Sequence, residues 1–95
     1  MNEEEVKKVI GNVMHPEIDA SLVDLGMIKN IKLDGKKVSM IMLFPFPGVP
    51  IKDMLMESVR QPLEKLGFEV EIKESVMSQE DLQKFFRMEQ EKWKV

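Results

Sequence analysis

Apolar residues recur with helical spacing in two long segments of the chain. In residues 3–14 they fall at positions i, i+3, i+4, i+7 and i+8, which predicts an amphipathic helix that ends before Pro16. A second stripe spans residues 51–66 and is followed by Gly67, a residue type favoured just after a helix end. Because a proline inside a helix removes a backbone hydrogen bond, we expect Pro62 to bend this second helix or to end it early.

Shorter apolar runs between and after these helices have the spacing of strands. Residues 27–33 and 38–44 flank Asp34-Gly35, a dipeptide typical of β-hairpins. The second of these strands has apolar residues on both faces, which indicates a central strand covered on two sides or a contact between copies of the chain. Residues 68–73 alternate apolar and charged positions, as in a strand with one face in solvent.

The last segment is predicted to form a further helix. Ser78 and Asp81 are spaced as in a capping box, and large apolar residues follow along the helix: Leu82, Phe85, Phe86 and Trp93. This aromatic stripe is either a cover for the chain's own core or a docking helix for a partner. The element order α-β-β-α-β with an extra C-terminal helix predicts the α+β class, a two-layer domain with a small mixed sheet.

Length, composition and charge restrict the class of protein further. The 95 residues, 43% hydrophobic and 33% charged, suit one globular domain over residues 1–95, with a core of about 4–77 and a helical extension over about 78–95. The net charge of −3 and the lack of a basic stripe disfavour nucleic-acid binding. No apolar run reaches the roughly 20 residues of a membrane span, and the N-terminus is acidic. We therefore expect no membrane association and a cytoplasmic location.

Residues with catalytic or ligating chemistry are sparse. The chain has no cysteine, which excludes disulfides and thiolate ligation by its own residues. The single histidine, His15, has Glu17 and Asp19 close to it in sequence, so an enzyme that uses His15 with Glu17 or Asp24 stays one hypothesis, although no nucleophile motif accompanies it. The nine methionines fall at apolar positions, where core packing explains them better than a soft-metal site. We expect no catalytic residues, no metal site and no cofactor.

Three short motifs in a fixed order resemble one known family. They are His15-Pro16-Glu17, then Ser21-Leu22-Val23-Asp24-Leu25-Gly26, and then Pro47-Gly48-Val49-Pro50. The pattern resembles the small domain of SufT-type and PaaD-type proteins, which also forms the N-terminal module of Mrp/ApbC-type ATPases. In that family the motifs read approximately D-P-E, S-I-V-D-L-G and T-x-P-G-C-P. The resemblance covers about residues 4–77.

The resemblance implies a function in iron–sulfur cluster assembly or maturation, as an accessory or adaptor protein that is not an enzyme. Its partners would be an iron–sulfur scaffold, a carrier ATPase or a client apoprotein, and a homodimer is compatible with the apolar second strand. The PaaD-like members imply an alternative, a maturation subunit of a multicomponent oxygenase or hydroxylase. The implied partner-binding residues are Pro16, Glu17, Asp24, Leu25, Gly26, Pro47, Gly48, Val49 and Pro50.

The chain departs from the family pattern at three positions, and one of them is the place of the usual threonine, which Pro45 or Phe46 occupies. His15 replaces the first aspartate, and Val49 replaces the cysteine of the third motif. A valine side chain neither ligates iron nor forms a mixed disulfide, so the resemblance implies protein contacts that do not use a thiol of this chain. We expect residues 15–26 and 45–50 to lie at the same end of the sheet, with Asp24 near the start of the second helix.

Overall fold

The computed structural model describes residues 2–93, which contain three helices and three strands in the order α-β-β-α-β-α. The elements are α1 (Glu3–Gly11), β1 (Ile28–Asp34), β2 (Lys37–Phe44), α2 (Lys52–Lys65), β3 (Glu69–Val76) and α3 (Gln79–Lys92). This order and the mixed sheet confirm the α+β class predicted from the sequence. None of the helices within residues 2–93 combines the length and the apolar character needed to span a bilayer.

The sheet has the strand order β1-β2-β3. β1 and β2 pair antiparallel through a tight turn, in which Gly35 has φ of 62° at the first turn position, as a type II′ turn requires. The turn residues are Gly35 and Lys36 rather than Asp34 and Gly35, because Asp34 still pairs with Lys37. β2 and β3 pair parallel along their whole length, which needs a crossover, and α2 provides it.

The core lies between one face of the sheet and the helices α1 and α2. Alternate side chains of β2 are buried on that face, and each of the two helices contributes buried residues four positions apart. The most buried residues of this layer are Val6, Ile10, Val38, Met40, Met42, Phe44, Leu55, Val59 and Leu63. The opposite face of β2 is half-buried, so β2 is the central strand that its two apolar faces predict.

The first helix is shorter than its apolar stripe predicts. α1 ends at Gly11, and the N–H of Asn12 closes it by donating to carbonyls of the last turn. Glycine and asparagine are weak helix formers, so two of them in succession favour an end at this point. Met14, which the stripe places on the buried face, is 47% exposed as a consequence.

The second helix does not end early at Pro62. α2 continues to Lys65, because the proline removes only the hydrogen bond to the carbonyl of Ser58, close to the end of the helix. Three residues on the apolar face of this helix are at most 1% exposed: Leu55, Val59 and Leu63. Their burial offsets the missing hydrogen bond. Gly67 then follows with φ of 91°, the left-handed conformation expected just after a helix end.

The third helix lies against the chain's own core. Phe85 is 4% exposed and belongs to the core cluster, which favours the first of the two interpretations of the aromatic stripe. α3 ends at Lys92, so Trp93 lies outside the helix in which its spacing places it. Trp93 instead forms an isolated antiparallel bridge with Ile18, and the N–H of Asp19 donates to the carbonyl of Lys92 at 2.7 Å.

Candidate functional site

The first motif forms a tight turn around the imidazole of His15. Its Nδ1 atom accepts hydrogen bonds from the backbone N–H groups of Glu17 at 3.0 Å and Ile18 at 3.2 Å. An imidazole nitrogen that accepts in this way carries no proton, so the proton of the neutral ring lies on Nε2. His15 is 6% exposed, and its backbone N–H donates to the carbonyl of Ala20 at 3.0 Å. The turn is therefore held from inside by this side chain.

This geometry explains how a histidine can stand where the family pattern has an aspartate. The Nδ1 atom of histidine and a carboxylate oxygen of aspartate both lie two bonds beyond Cβ, and both accept hydrogen bonds. Either atom can accept from the N–H groups two and three residues later, as in an Asx-turn or at a helix N-cap. The Nδ1 atom of His15 is occupied by backbone donors, which gives no support to the hypothesis of a general base.

The second motif folds as one helical turn. The hydroxyl of Ser21 accepts from the N–H of Asp24 at 3.0 Å, as an N-cap does. Gly26 closes the turn with φ of 75°, and the N–H groups of Gly26 and Met27 donate back across it at 3.0 and 2.9 Å. These features form a Schellman motif. Leu25 is 1% exposed and anchors the turn in the core, whereas Asp24 is exposed.

Ser21 is not among the site residues predicted from the sequence. A signal for its role is nevertheless present, because Ser followed three residues later by Asp is the spacing of an N-cap and its N3 position. The conformations of both Ser21 and Gly26 follow from local hydrogen bonding and backbone geometry. The second motif therefore has a structural explanation that does not require a ligand.

The third motif lies in the loop that leads into α2. Gly48 has φ of 113°, a conformation that glycine adopts freely and that strains other residues. The carbonyl of Val49 accepts from the N–H of Lys52 at 3.1 Å, at the first residue of the helix. Val49 is half-buried against the core, whereas Pro47 and Pro50 are exposed. The loop thus turns the side chain of Val49 inward.

The first and third motifs meet at a pocket of about 250 Å³, and α3 forms its third wall. Three of the predicted site residues line this pocket: Glu17, Val49 and Pro50. The other six predicted site residues lie within the described residues but do not line the pocket: Pro16, Asp24, Leu25, Gly26, Pro47 and Gly48. α3 contributes Phe85, Phe86 and Glu89 to the pocket, and none of these three is among the predicted site residues.

The pocket is mostly apolar and carries two carboxylates. Its ionisable side chains are Glu17 and Glu89 together with His15, and Val49 lies where the family pattern has a cysteine. Within residues 2–93, no three His, Asp or Glu side chains converge in a way that could hold a metal ion. Such a lining suits contact with an apolar side chain better than ligation of a metal.

An ion pair fastens the start of α3 to the sheet. The Nζ atom of Lys29 donates to Oδ2 of Asp81 at 2.8 Å. This hydrogen bond is the main cause that lowers the pKa of Asp81 below its usual value, and partial loss of solvent acts in the opposite direction. The N–H of Asp81 also donates to the hydroxyl of Ser78 at 3.3 Å, which confirms the predicted cap. Protonation of Asp81 therefore weakens one attachment of α3.

The chain is similar in sequence to proteins that are described as iron–sulfur assembly, maturation or carrier proteins. The sequence profile of a family described as iron–sulfur cluster assembly protein matches residues 3–73. The chain is 32% identical over 90 residues to an Fe-S protein maturation auxiliary factor of Porphyromonas gingivalis, and the match covers 82% of this chain and 85% of that protein. It is 33% identical over 70 residues to an iron–sulfur cluster carrier protein of Synechocystis, and this match covers 72% of this chain and 20% of that protein. The match thus spans only a fifth of the carrier's length.

A solved structure shares the fold. The crystal structure of a domain of unknown function from Bacillus anthracis is similar to this chain with a TM-score of 0.70 and 20% sequence identity, over 83% of this chain and 81% of that one. This likeness concerns the fold alone. The profile match and the identity to the maturation factor cover most of the chain, and all three motifs lie within the matched residues. The chain therefore belongs to the family of iron–sulfur cluster assembly proteins.

Proposed function

We propose that this chain is a non-enzymatic accessory factor in iron–sulfur protein maturation and acts by binding other proteins through residues 15–26 and 45–50. The observation that carries the proposal is the pocket where the first and third motifs meet, with Val49 at its wall. Concave apolar surfaces with few polar groups are common sites of recognition. The names of the two relatives, a maturation auxiliary factor and a cluster carrier, support this function over the oxygenase alternative.

The cluster is the cargo of this process, and in our proposal the partner holds it. Protein ligands of such clusters are mostly cysteine thiolates, and these 95 residues contain no cysteine. We propose that a scaffold, a carrier ATPase or a client apoprotein supplies the thiolates. This chain then contributes the contacts that bring its partner into position.

Phe46 extends the pocket towards the protein surface. It lies in the loop that carries Val49, lines the pocket and is 51% exposed. Exposed aromatic residues beside a pocket are frequent anchors of protein interfaces, because they bury a large apolar area at a small entropic cost. Glu17 adds a negative charge to the same rim. We propose that these two side chains face the partner.

Affinity purification of the tagged chain from its native host tests the proposal. We expect recovery of a cluster scaffold, a carrier or a client apoprotein, whose binding to the purified chain is then measured by biolayer interferometry. Phe46→Ala should weaken this binding by about tenfold or more, the effect of removing an interface anchor. Leu66→Ala is the matched control, because Leu66 is also 51% exposed but follows the far end of α2. Recovery of no iron–sulfur protein, or equal losses in the two variants, would contradict the proposal.

A second experiment addresses the missing thiol. After anaerobic incubation with ferrous iron and sulfide, the desalted chain should retain no stoichiometric iron, because it offers no thiolate. Val49→Cys provides one thiol at the pocket. We expect it to react with a thiol reagent more slowly than the cysteine of Asp19→Cys, since Val49 is half-buried and Asp19 is exposed. Stoichiometric iron in the unmodified chain would show that cargo binding does not need a partner.

A further inference from the structure

The outer edge of β3 has no strand beside it. β3 pairs with β2 on one side, and no other strand within residues 2–93 pairs with β3 on the other side. The N–H of Glu69 donates to the carbonyl of Lys36. Eight positions later, the N–H of Met77 donates to the carbonyl of Phe44. Because the backbone groups of successive residues point to opposite sides of a strand, the odd-numbered residues of β3 face β2. The N–H and C=O groups of its even-numbered residues therefore point outward: Val70, Ile72, Glu74 and Val76.

The two edges of the sheet differ in how well they resist pairing with another chain. β1, at the opposite edge, has a register shift between Lys29 and Lys32, and Asn30 has φ of 56°. Bulges and lysine side chains are common features that keep an edge strand from pairing with a second molecule. β3 pairs with β2 in one continuous register over all eight of its residues, and none of these residues is buried. β3 is thus a regular and open edge, long enough to pair with a further strand.

The charges of β3 fit a second copy of β3 in the antiparallel direction. The outward backbone groups belong to even-numbered residues, so hydrogen bonds form between even-numbered residues of the two copies. With the two-fold axis at Ile72, this residue lies opposite itself, and Glu71 of each copy lies opposite Lys73 of the other. With the axis at Glu71 or at Lys73, that residue lies opposite its own copy, and like charges repel. The register centred on Ile72 pairs opposite charges and places no like charges opposite each other.

We propose that this chain forms a homodimer in which β3 pairs antiparallel with β3 of a second copy, so that the two three-stranded sheets join into one continuous sheet. Val70, Ile72 and Glu74 supply the backbone hydrogen bonds of the interface, and Glu71 and Lys73 supply its ion pairs.

The contacts that Glu71 makes within its own chain are compatible with this interface. Glu71 pairs with Lys37 at 3.3 Å, but its side chain is 49% exposed, so a second cation can reach it. No residue of β3 lines the pocket between the first and third motifs. The dimer therefore goes beyond the proposed function and does not depend on it.

Sedimentation equilibrium at low ionic strength, over a concentration series up to about 1 mM, tests for the dimer. We expect the mean mass to rise from one chain to two and no further. Lys73→Glu makes both ion pairs repulsive, so it should raise the dimer dissociation constant at least about tenfold. The double variant Glu71→Lys, Lys73→Glu exchanges the two charges and should restore the dissociation constant to within about threefold of its original value.

The matched control is Lys32→Glu. It makes the same change of net charge as Lys73→Glu, at an exposed position of β1, the other edge strand. It should change the dissociation constant by less than about threefold, because β1 lies outside the interface. Urea unfolding of each variant, followed by circular dichroism, checks that the single chains remain folded.

Single cysteines report the register, because the chain has no cysteine of its own. In the proposed dimer, Ile72→Cys lies opposite itself at a Cα separation of about 5.5 Å, which a disulfide can span. Glu74→Cys lies four residues along the strand from its counterpart, about 13 Å away or more. Mild oxidation should therefore give a covalent dimer of Ile72→Cys and none of Glu74→Cys. Random collisions would favour the opposite result, because Glu74 is exposed and Ile72 is half-buried.

Several outcomes would overturn the proposal. These are a mass of one chain up to about 1 mM, a mass beyond two chains, and a dimer that Lys73→Glu leaves unchanged. Equal effects of Lys32→Glu and Lys73→Glu, or no rescue by the double variant, would also contradict it, as would disulfide formation by Glu74→Cys equal to that by Ile72→Cys. All of these measurements use this chain alone, so they can fail while a maturation partner is recovered, and the reverse. Failure of the dimer is therefore distinguishable from failure of the proposed function.

Discussion

Replacement of His15 by alanine should destabilise the chain, whereas replacement by asparagine should largely preserve it. The Nδ1 atom of His15 accepts from the N–H groups of Glu17 and Ile18 at 3.0 and 3.2 Å. Alanine removes this acceptor from both donors. The Oδ1 atom of asparagine lies two bonds beyond Cβ, as Nδ1 does, and can accept both hydrogen bonds.

The burial of the two donors sets the magnitude. The hydrogen bond to Ile18 is buried, so the loss of its acceptor costs about 1–3 kcal/mol. The hydrogen bond to Glu17 is partly buried, and water can replace part of it, which leaves about 0.5–1 kcal/mol. His15 is 6% exposed, and the lost packing of its ring adds about 1 kcal/mol. Alanine should therefore cost about 2.5–5 kcal/mol, a large part of the roughly 5–15 kcal/mol typical of a small domain.

Urea denaturation of the unmodified chain and the variants measures this difference. With a slope of about 1–1.5 kcal/mol per molar urea, the loss lowers the midpoint by roughly 2–5 M for alanine, and asparagine should lower it by less than about 1 M. Unfolding is followed by far-UV circular dichroism and by the fluorescence of Trp93, the only tryptophan. The two probes are compared because Trp93 reports on the end of α3, while circular dichroism reports on all helices and strands.

The variants His15→Asn and His15→Asp act as paired controls, the second because the family pattern has aspartate at this position. Both should keep the turn, since each supplies an acceptor atom at the position of Nδ1. Equal midpoints for the alanine and asparagine variants would refute the reasoning. A loss below about 0.5 kcal/mol for alanine would do the same, because one buried unsatisfied N–H group alone should cost more.

Two further predictions concern the turn of the second motif and the attachment of α3. Gly26→Ala should lower the free energy of unfolding by about 1–2 kcal/mol, measured by heat or urea, because φ of Gly26 is 75°. Gly11→Ala, at the end of α1 with no positive φ, should raise it by about 0.5–1 kcal/mol. Neither added Cβ meets an atom within 4 Å, so equal effects of the two substitutions would contradict the argument from backbone conformation. The pKa of Asp81 is lowered in the folded chain. The stability that its ion pair contributes is therefore fully present above the pKa of Asp81 in the unfolded chain, and it is lost as the pH falls through the pKa in the folded chain. Acid titration of Trp93 fluorescence should show α3 loosening in this range, and Asp81→Asn should be looser already at pH 6; identical titrations of the two proteins would count against the ion pair with Lys29.

Elements with local signals were predictable, and helix ends were less so. The Gly67 end of α2 is confirmed because a left-handed glycine is encoded by one residue. The placement of Trp93 on α3 is wrong, because the helix ends at Lys92 and Trp93 pairs with Ile18, which is distant in the chain. Pro62 lies inside α2 because buried side chains on the same helix outweigh its local cost, and that burial depends on the sheet beneath.

In the candidate site too, the local features were predictable from the sequence and the long-range contacts were not. The order and spacing of residues identify the three motifs. His15, Ser21 and Gly26 each form hydrogen bonds with residues only two or three positions away in the chain. The pocket is different, because Glu17, Val49 and Phe85 come from three distant segments. No periodicity or capping pattern reports which of these segments meet.

Residue order alone specifies the α+β class, the family, the turns of the motifs and the absence of a thiol at Val49. These features depend on backbone propensity, on hydrogen bonds between close neighbours or on residue identity, all of which are local. Packing across the end of the sheet specifies the pocket, the burial of Phe85 and the seating of α3 over the motif loops. Such contacts join residues about 30 to 70 positions apart, and their geometry follows from how the layers pack, which local spacing does not encode.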